Sequence, residues 1–142
     1  RMENTFKIGR DADISSTSIG ELRKVIGWEP LTNRFKKALE KSYAHFSIKE
    51  NGKLIGFARV LSDGNLYAFI VDVMIHPDFQ KKGIGSELLQ ALIEESNRTQ
   101  IPIVLEVSPI NTSARALYQR LGFEEIEVNE KEIKMKYLPI KL

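Results

Sequence analysis

Two lysines run directly into two glycines in the stretch Gln80-Lys81-Lys82-Gly83-Ile84-Gly85-Ser86, and of all the residues in this chain these have the plainest chemistry: they could hold a phosphate. Glycines let the backbone approach an anion closely, the first N–H groups of a helix have no acceptor within it, and the helix dipole is positive there. The sequence around the stretch has the right form, an apolar strand that ends at Pro77 and, after the glycines, Ile84, Leu88, Leu89, Leu92 and Ile93 at helical spacing. Two nucleotide readings fail on spacing. A kinase-type phosphate loop needs Gly-x-x-x-x-Gly-Lys-Ser/Thr, whereas here the lysines precede the glycines and Ser86 follows Gly85. A dinucleotide fingerprint needs a third glycine where Leu88 stands. Taken alone, the two glycines fit a ligand-free helix entry as well as a phosphate site.

Acids in apolar company are the next group. Glu106 lies inside Ile103-Val-Leu-Glu-Val107, and Asp72 interrupts the apolar strand that leads to the glycines, sharing a face with Ile70 and Met74. A carboxylate in such a strand is costly unless it is paired, solvated or used. His76 and His45 have no second ligand at metal spacing, so no metal is expected. The absence of cysteine excludes disulfides, Cys-ligated zinc and a cysteine nucleophile, so any acyl transfer would pass directly from donor to acceptor.

The elements that must position these residues follow from periodicity. A short strand is expected at Thr5 to Ile8. Residues 16 to 41 then carry helical spacing, broken at Gly27-Trp28-Glu29-Pro30, which predicts two helices. Tyr43 to Ile48 and Leu54 to Leu61 flank Asn51-Gly52, a strong hairpin signal, and Ser62-Asp63-Gly64-Asn65 turns the chain into Leu66 to Ile75, completing a three-strand antiparallel meander. After the helix from Gly83 to Asn97 come a buried strand at Pro102 to Val107 and a helix over 112 to 121 stopped by Gly122. Phe123 to Val128 and Glu132 to Leu138 form a last hairpin. The order βααβββαβαββ predicts an α+β architecture with a mostly antiparallel sheet and one parallel junction.

The length of 142 residues, with no linker-like tract, predicts one domain over the whole sequence. A net charge of +2 gives no general attraction to nucleic acid or to an anionic membrane. No apolar run reaches the roughly 20 residues of a membrane span and no signal peptide is evident, so a cytoplasmic protein is expected.

The segment Gln80 to Gly85 matches the Gln/Arg-x-x-Gly-x-Gly/Ala motif of the GNAT superfamily of acyl-CoA N-acyltransferases. Asn111-Thr-Ser-Ala-Arg-Ala-Leu-Tyr-Gln-Arg-Leu-Gly-Phe123 resembles that family's second signature. With the order of elements, the resemblance covers about residues 5 to 138. It implies the GNAT fold: a twisted, mostly antiparallel sheet of six to seven strands with four helices, splayed at the fourth and fifth strands. It also implies an N-acetyltransferase that takes its acetyl group from acetyl-CoA.

Residue by residue, the resemblance implies that the backbone of Val73, Met74 and Ile75 pairs with the pantetheine arm, and that the N–H of Met74 or Ile75 polarises the thioester carbonyl. Gln80, Lys81, Lys82, Gly83, Ile84, Gly85 and Ser86 would receive the pyrophosphate. Asn111 would contact the cofactor, or simply cap the helix that follows. Tyr118 is expected to protonate the departing thiolate, and Glu106 either accepts the amine's proton or is a hydrogen-bonded structural acid. Acceptor choice is expected to rest on the first helix pair and the last hairpin, with Trp28 and Glu29 as binding residues, while Asp72 either meets an acceptor ammonium or is a structural acid. The Gly27-Trp28 region and the Arg59 to Gly64 turn resemble small bacterial and plastid members thought to modify small amines, so a small-molecule amine is the expected acceptor. Protein N-terminal or lysine acetylation, or a non-catalytic acyl-CoA sensor, are the alternatives. A homodimer would be in keeping with the family.

Overall fold

The computed structural model describes residues 6–141. The chain runs β1 (Ile8–Arg10), α1 (Ser16–Val25), α2 (Thr32–Lys41), β2 (Ala44–Glu50), β3 (Lys53–Ser62) and β4 (Ala68–Ile75). A short 3-10 turn at Pro77–Phe79 leads to α3 (Ile84–Thr99), β5 (Ile103–Val107), α4 (Thr112–Arg120), β6 (Glu124–Val128) and β7 (Ile133–Tyr137). This is the order expected from periodicity. The first strand begins at Ile8 rather than at Thr5, which lies outside the described residues. β4 begins at Ala68 rather than Leu66 because Asp63 Oδ1 accepts the N–H groups of Asn65, Leu66 and Tyr67, holding them in the turn.

Among the described residues, seven strands form one sheet in the order β1-β2-β3-β4-β5-β7-β6, antiparallel throughout except for the β4–β5 pair. Asn51 and Gly52 adopt φ of 51° and 79°, the paired positive values that a two-residue hairpin demands.

Helices cover both faces. The α3 stripe of Ile84, Leu88, Leu89 and Leu92 is buried against Ile48, Ile55, Leu105 and Met135 from one face of the sheet. Full burial of each such side chain contributes about 1.5–3 kcal/mol, which outweighs the modest intrinsic stability of a helix this long. Ile19 and Leu22 of α1 and Phe35 of α2 pack on Leu54, Phe57 and Met74 on the other face. Gly56 of β3 lets α3 sit close, since a Cβ there would stand 3.0 Å from Ile84 Cγ2.

Two irregularities in β4 shape everything downstream. Val71 pairs with Arg59 and Met74 with Phe57, so Asp72 and Val73 together oppose Ala58, and Asp72 takes φ of 55°. This is a bulge, and it exchanges the two faces of the strand. Ile70 points into the α3 side of the core, whereas Met74, which would share its face in a regular strand, is buried on the α1 side, and Val73 and Ile75 pack on the α3 side instead. The common face expected for Ile70, Asp72 and Met74 is therefore broken at Asp72.

The second irregularity is a splay. β4 and β5 pair only at Ala68 with Ile103 and Phe69 with Val104, after which β5 pairs along its other edge with β7. Among the described residues, β4 from Ile70 onward has a partner on its β3 edge alone.

Candidate active site

The splay opens into a cavity of about 560 Å³ bounded by β4, the entry of α3, and α4. Val73, Met74 and Ile75 line its strand wall, Gln80, Lys81, Gly83, Gly85 and Ser86 its glycine-loop wall, and Asn111 and Tyr118 the α4 side. Trp28, from the α1–α2 connection, reaches the same cavity.

Donor direction in β4 follows from one bond. The His76 N–H donates to the Ile55 carbonyl at 2.8 Å, on the β3 side. In an antiparallel ladder alternate residues face the same neighbour, so the Met74 N–H also faces β3, and those of Val73 and Ile75 face the splay. The Ile75 carbonyl shares that direction, and Gln80 Nε2 donates to it at 3.4 Å. Of the two donors expected to polarise a thioester, the geometry leaves Ile75 and not Met74 aimed at the cavity.

At the loop, Gly83 is the N-cap of α3 with φ of 86°, and no side chain caps the helix. Among the described residues, none of the backbone N–H groups from Lys81 through Ser86 donates to a protein acceptor. Lys81 itself takes φ of 65°. A run of free N–H groups at the positive end of a helix, with Lys81 beside it, is a ready anion site. The Lys82 ammonium instead lies 5.3 Å from the Phe79 ring centroid, away from the cavity lining. Ile84 is buried in the core and contributes only its backbone.

Tyr118 is fixed by the end of its own helix. The Phe123 N–H donates to the Tyr118 carbonyl at 2.9 Å and the Gly122 N–H to the Gln119 carbonyl at 3.1 Å, with Gly122 at φ of 104°. These are the paired bonds of a Schellman stop. The same turn lays the Phe123 ring against that of Tyr118 at 5.8 Å. The phenol lines the cavity with no hydrogen-bond partner among the described residues, and burial pushes its pKa up to about 12. It keeps its proton throughout the neutral range. Asn111 caps α4, its Oδ1 accepting from the Ala114 N–H at 3.2 Å, which leaves its amide NH₂ available to the cavity.

Glu106, Asp72 and Glu29 do not line this cavity. Glu106 projects from the solvent face of β5, opposite Lys134. Its carboxyl is held above the ordinary range by the desolvation it suffers and by the neighbouring Glu132, with Lys134 opposing. Asp72 is met by Arg59, whose Nε donates to Oδ2 at 2.8 Å, and by Arg23, whose Nη1 lies 3.5 Å from Oδ1. Its charge is satisfied within the protein. The Glu29 side chain is exposed, and its carbonyl accepts from Arg23 Nε at 2.6 Å. Ile26, Leu117 and Arg120 also line the cavity, though nothing in the sequence singled them out. Leu117 could have been found from its place beside Tyr118 in the second signature; Arg120 could have been found as a cation in the last turn of α4.

Residues 14–123 match the model of the acetyltransferase (GNAT) family. The chain belongs to that family. This GNAT acetyltransferase is 35% identical over 123 residues to an uncharacterized N-acetyltransferase, ycf52, of Pyropia yezoensis, covering 82% of this chain and 68% of that protein. It is 38% identical over 101 residues to the [ribosomal protein bS18]-alanine N-acetyltransferase of Escherichia coli K12, covering 68% of this chain but only 62% of that protein. Its fold superposes on the crystal structure of the E. coli ribosomal-protein-S18-alanine N-acetyltransferase with a TM-score of 0.80 at 24% identity, over 97% of this chain and 96% of the other. An aminoglycoside 6'-acetyltransferase type Ii shares the fold at a TM-score of 0.79 and 14% identity, over 96% and 99% of the two chains. The GNAT acetyltransferase uses acetyl-CoA as its acetyl donor, and the free N–H groups of the α3 entry and the unpaired edge of β4 fit a phosphorylated, amide-bearing thioester.

Proposed function

We propose that this GNAT acetyltransferase acetylates the α-amine of a protein N-terminus of the bS18 alanine type. The observation that carries the reading is the 38% identity with the E. coli enzyme of that specificity. It supports a protein amine over the small-molecule amine expected from sequence, because the aminoglycoside enzyme shares the fold at only 14% identity. The open face of β5 and β7 also supports it. There Glu132 and Glu127 approach Glu106, whose carboxyl is raised first by desolvation and then by these neighbours, with Lys134 opposing, and such a group of acids suits a cationic chain end.

Acetyl-CoA, when bound, supplies a thioester whose acyl carbon takes up the amine nitrogen as the bond to sulfur breaks. The N–H groups from Lys81 to Ser86, with Lys81 and the Asn111 amide, hold the phosphorylated end. The edge of Val73 to Ile75 aligns the arm, and the Ile75 N–H meets the oxygen on which charge develops, where a fixed donor in a low-dielectric site is worth most. Tyr118 gives its proton to the departing sulfur and recovers one from solvent. Glu106 takes the amine's proton through water, since its carboxylate stands outside the cavity lining. Trp28 forms the acceptor wall of the cavity.

A thiol-release assay across acceptors tests the reading. Purified protein with acetyl-CoA should release thiol with a peptide beginning at the bS18 alanine, and not with a polyamine, an aryl amine or an aminoglycoside. Release with one of those amines and none with the peptide would replace this acceptor with a small molecule.

A further inference from the structure

Asp72 sits at the point where β4 exchanges its faces, in a left-handed conformation (φ of 55°) that a non-glycine residue rarely holds inside a strand. Its carboxylate is gripped from two elements. Arg59 of β3 donates to Oδ2 through Nε and also lies 2.8 Å away through Nη2, and Arg23 of α1 approaches Oδ1. All three side chains are largely buried, at 18%, 16% and 11% exposure.

The grip extends outward. Phe35 lies under both guanidinium groups, at 5.2 Å from Arg23 and 5.5 Å from Arg59. Arg23 also stacks on Trp28 at 5.2 Å and donates to the Glu29 carbonyl, which fastens the α1–α2 connection to the bulge. Arg59 Nη1 donates to Ser42 Oγ, which donates to the Ala38 carbonyl at the end of α2.

We propose that Asp72 is a positioning residue: clamped by Arg59 and Arg23, it fixes the β4 bulge and so decides which N–H groups face the splay, while holding the Trp28 loop against them. A bulge inserts one residue, and a slip of one residue exchanges both the faces and the edges of everything that follows. Without it, Met74 would turn toward α3 and the donors of Val73 and Ile75 would leave the splay. This rests on the reading that those donors serve the thioester. It also accounts for an acid in an apolar strand without asking that acid to touch the acceptor.

Asp72→Gly keeps the backbone freedom and removes the carboxylate, and Asp72→Asn keeps one acceptor oxygen without the charge. Both should still bind acetyl-CoA through the α3 entry, Asp72→Gly more weakly than the unaltered protein because the arm loses its pairing with β4. Asp72→Gly should lose about tenfold or more in kcat, as expected when a reacting group is misplaced, with Asp72→Asn falling between. The Val73 and Ile75 amide signals in ¹⁵N spectra should move on adding acetyl-CoA to the unaltered protein and stay still in Asp72→Gly. If Asp72→Gly fails to fold, Asp72→Asn is read in its place. Unaltered kcat and the same amide shifts in the variant would overturn the clamp and leave the site reading standing. No amide shift even in the unaltered protein would overturn both.

Discussion

Gly85 of α3 and Leu117 of α4 stand so close across the cavity that a Cβ on the glycine would lie 3.2 Å from Leu117 Cδ2. The entry of α3 is thus pressed against the helix that carries Tyr118. Gly83, two residues earlier, has nothing within 4 Å of a built Cβ but holds φ of 86°. The two glycines are therefore needed for different reasons, one for space and one for backbone conformation.

Their variants should differ accordingly. Gly85→Leu should force α3 and α4 apart and abolish acetyl-CoA binding measured by titration calorimetry, with the fold retained by circular dichroism. Gly83→Ala should cost about 1–2 kcal/mol in stability through left-handed strain and weaken binding without abolishing it. Wild-type binding by Gly85→Leu would remove the glycine loop from the cofactor site.

Tyr118→Phe should lower kcat by about 10²-fold while acetyl-CoA affinity stays near normal, the pattern of a lost proton donor. Because burial holds the phenol near pKa 12, no alkaline fall in rate from its ionisation should appear between pH 7 and about 10. A basic limb in that interval that vanishes in Tyr118→Phe would contradict this placement.

Glu106 should mark the acid limb. A base works when deprotonated, so kcat/KM rises with pH through its pKa, which desolvation and Glu132 set above the ordinary carboxylate range. Glu106→Gln should lose about 10²-fold in rate and flatten that limb. A limb of unchanged midpoint in the variant would assign it to another group.

Stability has its own carboxylate. Glu95 is buried, which by itself raises its pKa, but Arg10 and Arg98 outweigh burial and hold it below its usual value. The folded pKa lies below the unfolded one. The stabilisation is therefore complete above the unfolded value, near pH 4.3, and is lost as pH falls through the folded one. Glu95→Gln should lower stability at pH 7 by about 1–3 kcal/mol, and urea midpoints of variant and parent should converge as pH drops toward 2. A constant gap at all pH values would rule out this linkage.

Much of this arrangement was legible in the residues. Apolar spacing gave the order of elements, Asn51-Gly52 gave the first hairpin, and Gly122 gave the stop that Phe123 and Tyr118 complete. The bulge at Asp72 was not legible. A left-handed aspartate leaves no mark on periodicity, so Ile70 and Met74 read as neighbours on one face when they pack on opposite ones. That hidden exchange also decides between the two expected donors, leaving Ile75 rather than Met74 facing the splay. The place of Glu106 was equally hidden, because alternation shows that it leaves the core but not that the cavity lies elsewhere. Arg23 and Arg59 are ordinary surface cations in sequence, and they become partners of Asp72 only when α1 folds over β3 and β4.

Regioselectivity tests the acceptor assignment: the protein is incubated with acetyl-CoA and a peptide that begins with the bS18 alanine and also contains a lysine, and the product is located by fragment-ion mass spectrometry. A single acetyl group should appear on the alanine α-amine, formed by the unaltered protein and scarcely at all by Tyr118→Phe. Acetylation confined to the lysine side chain, or an unmodified peptide with acetyl-CoA bound and intact, would contradict it.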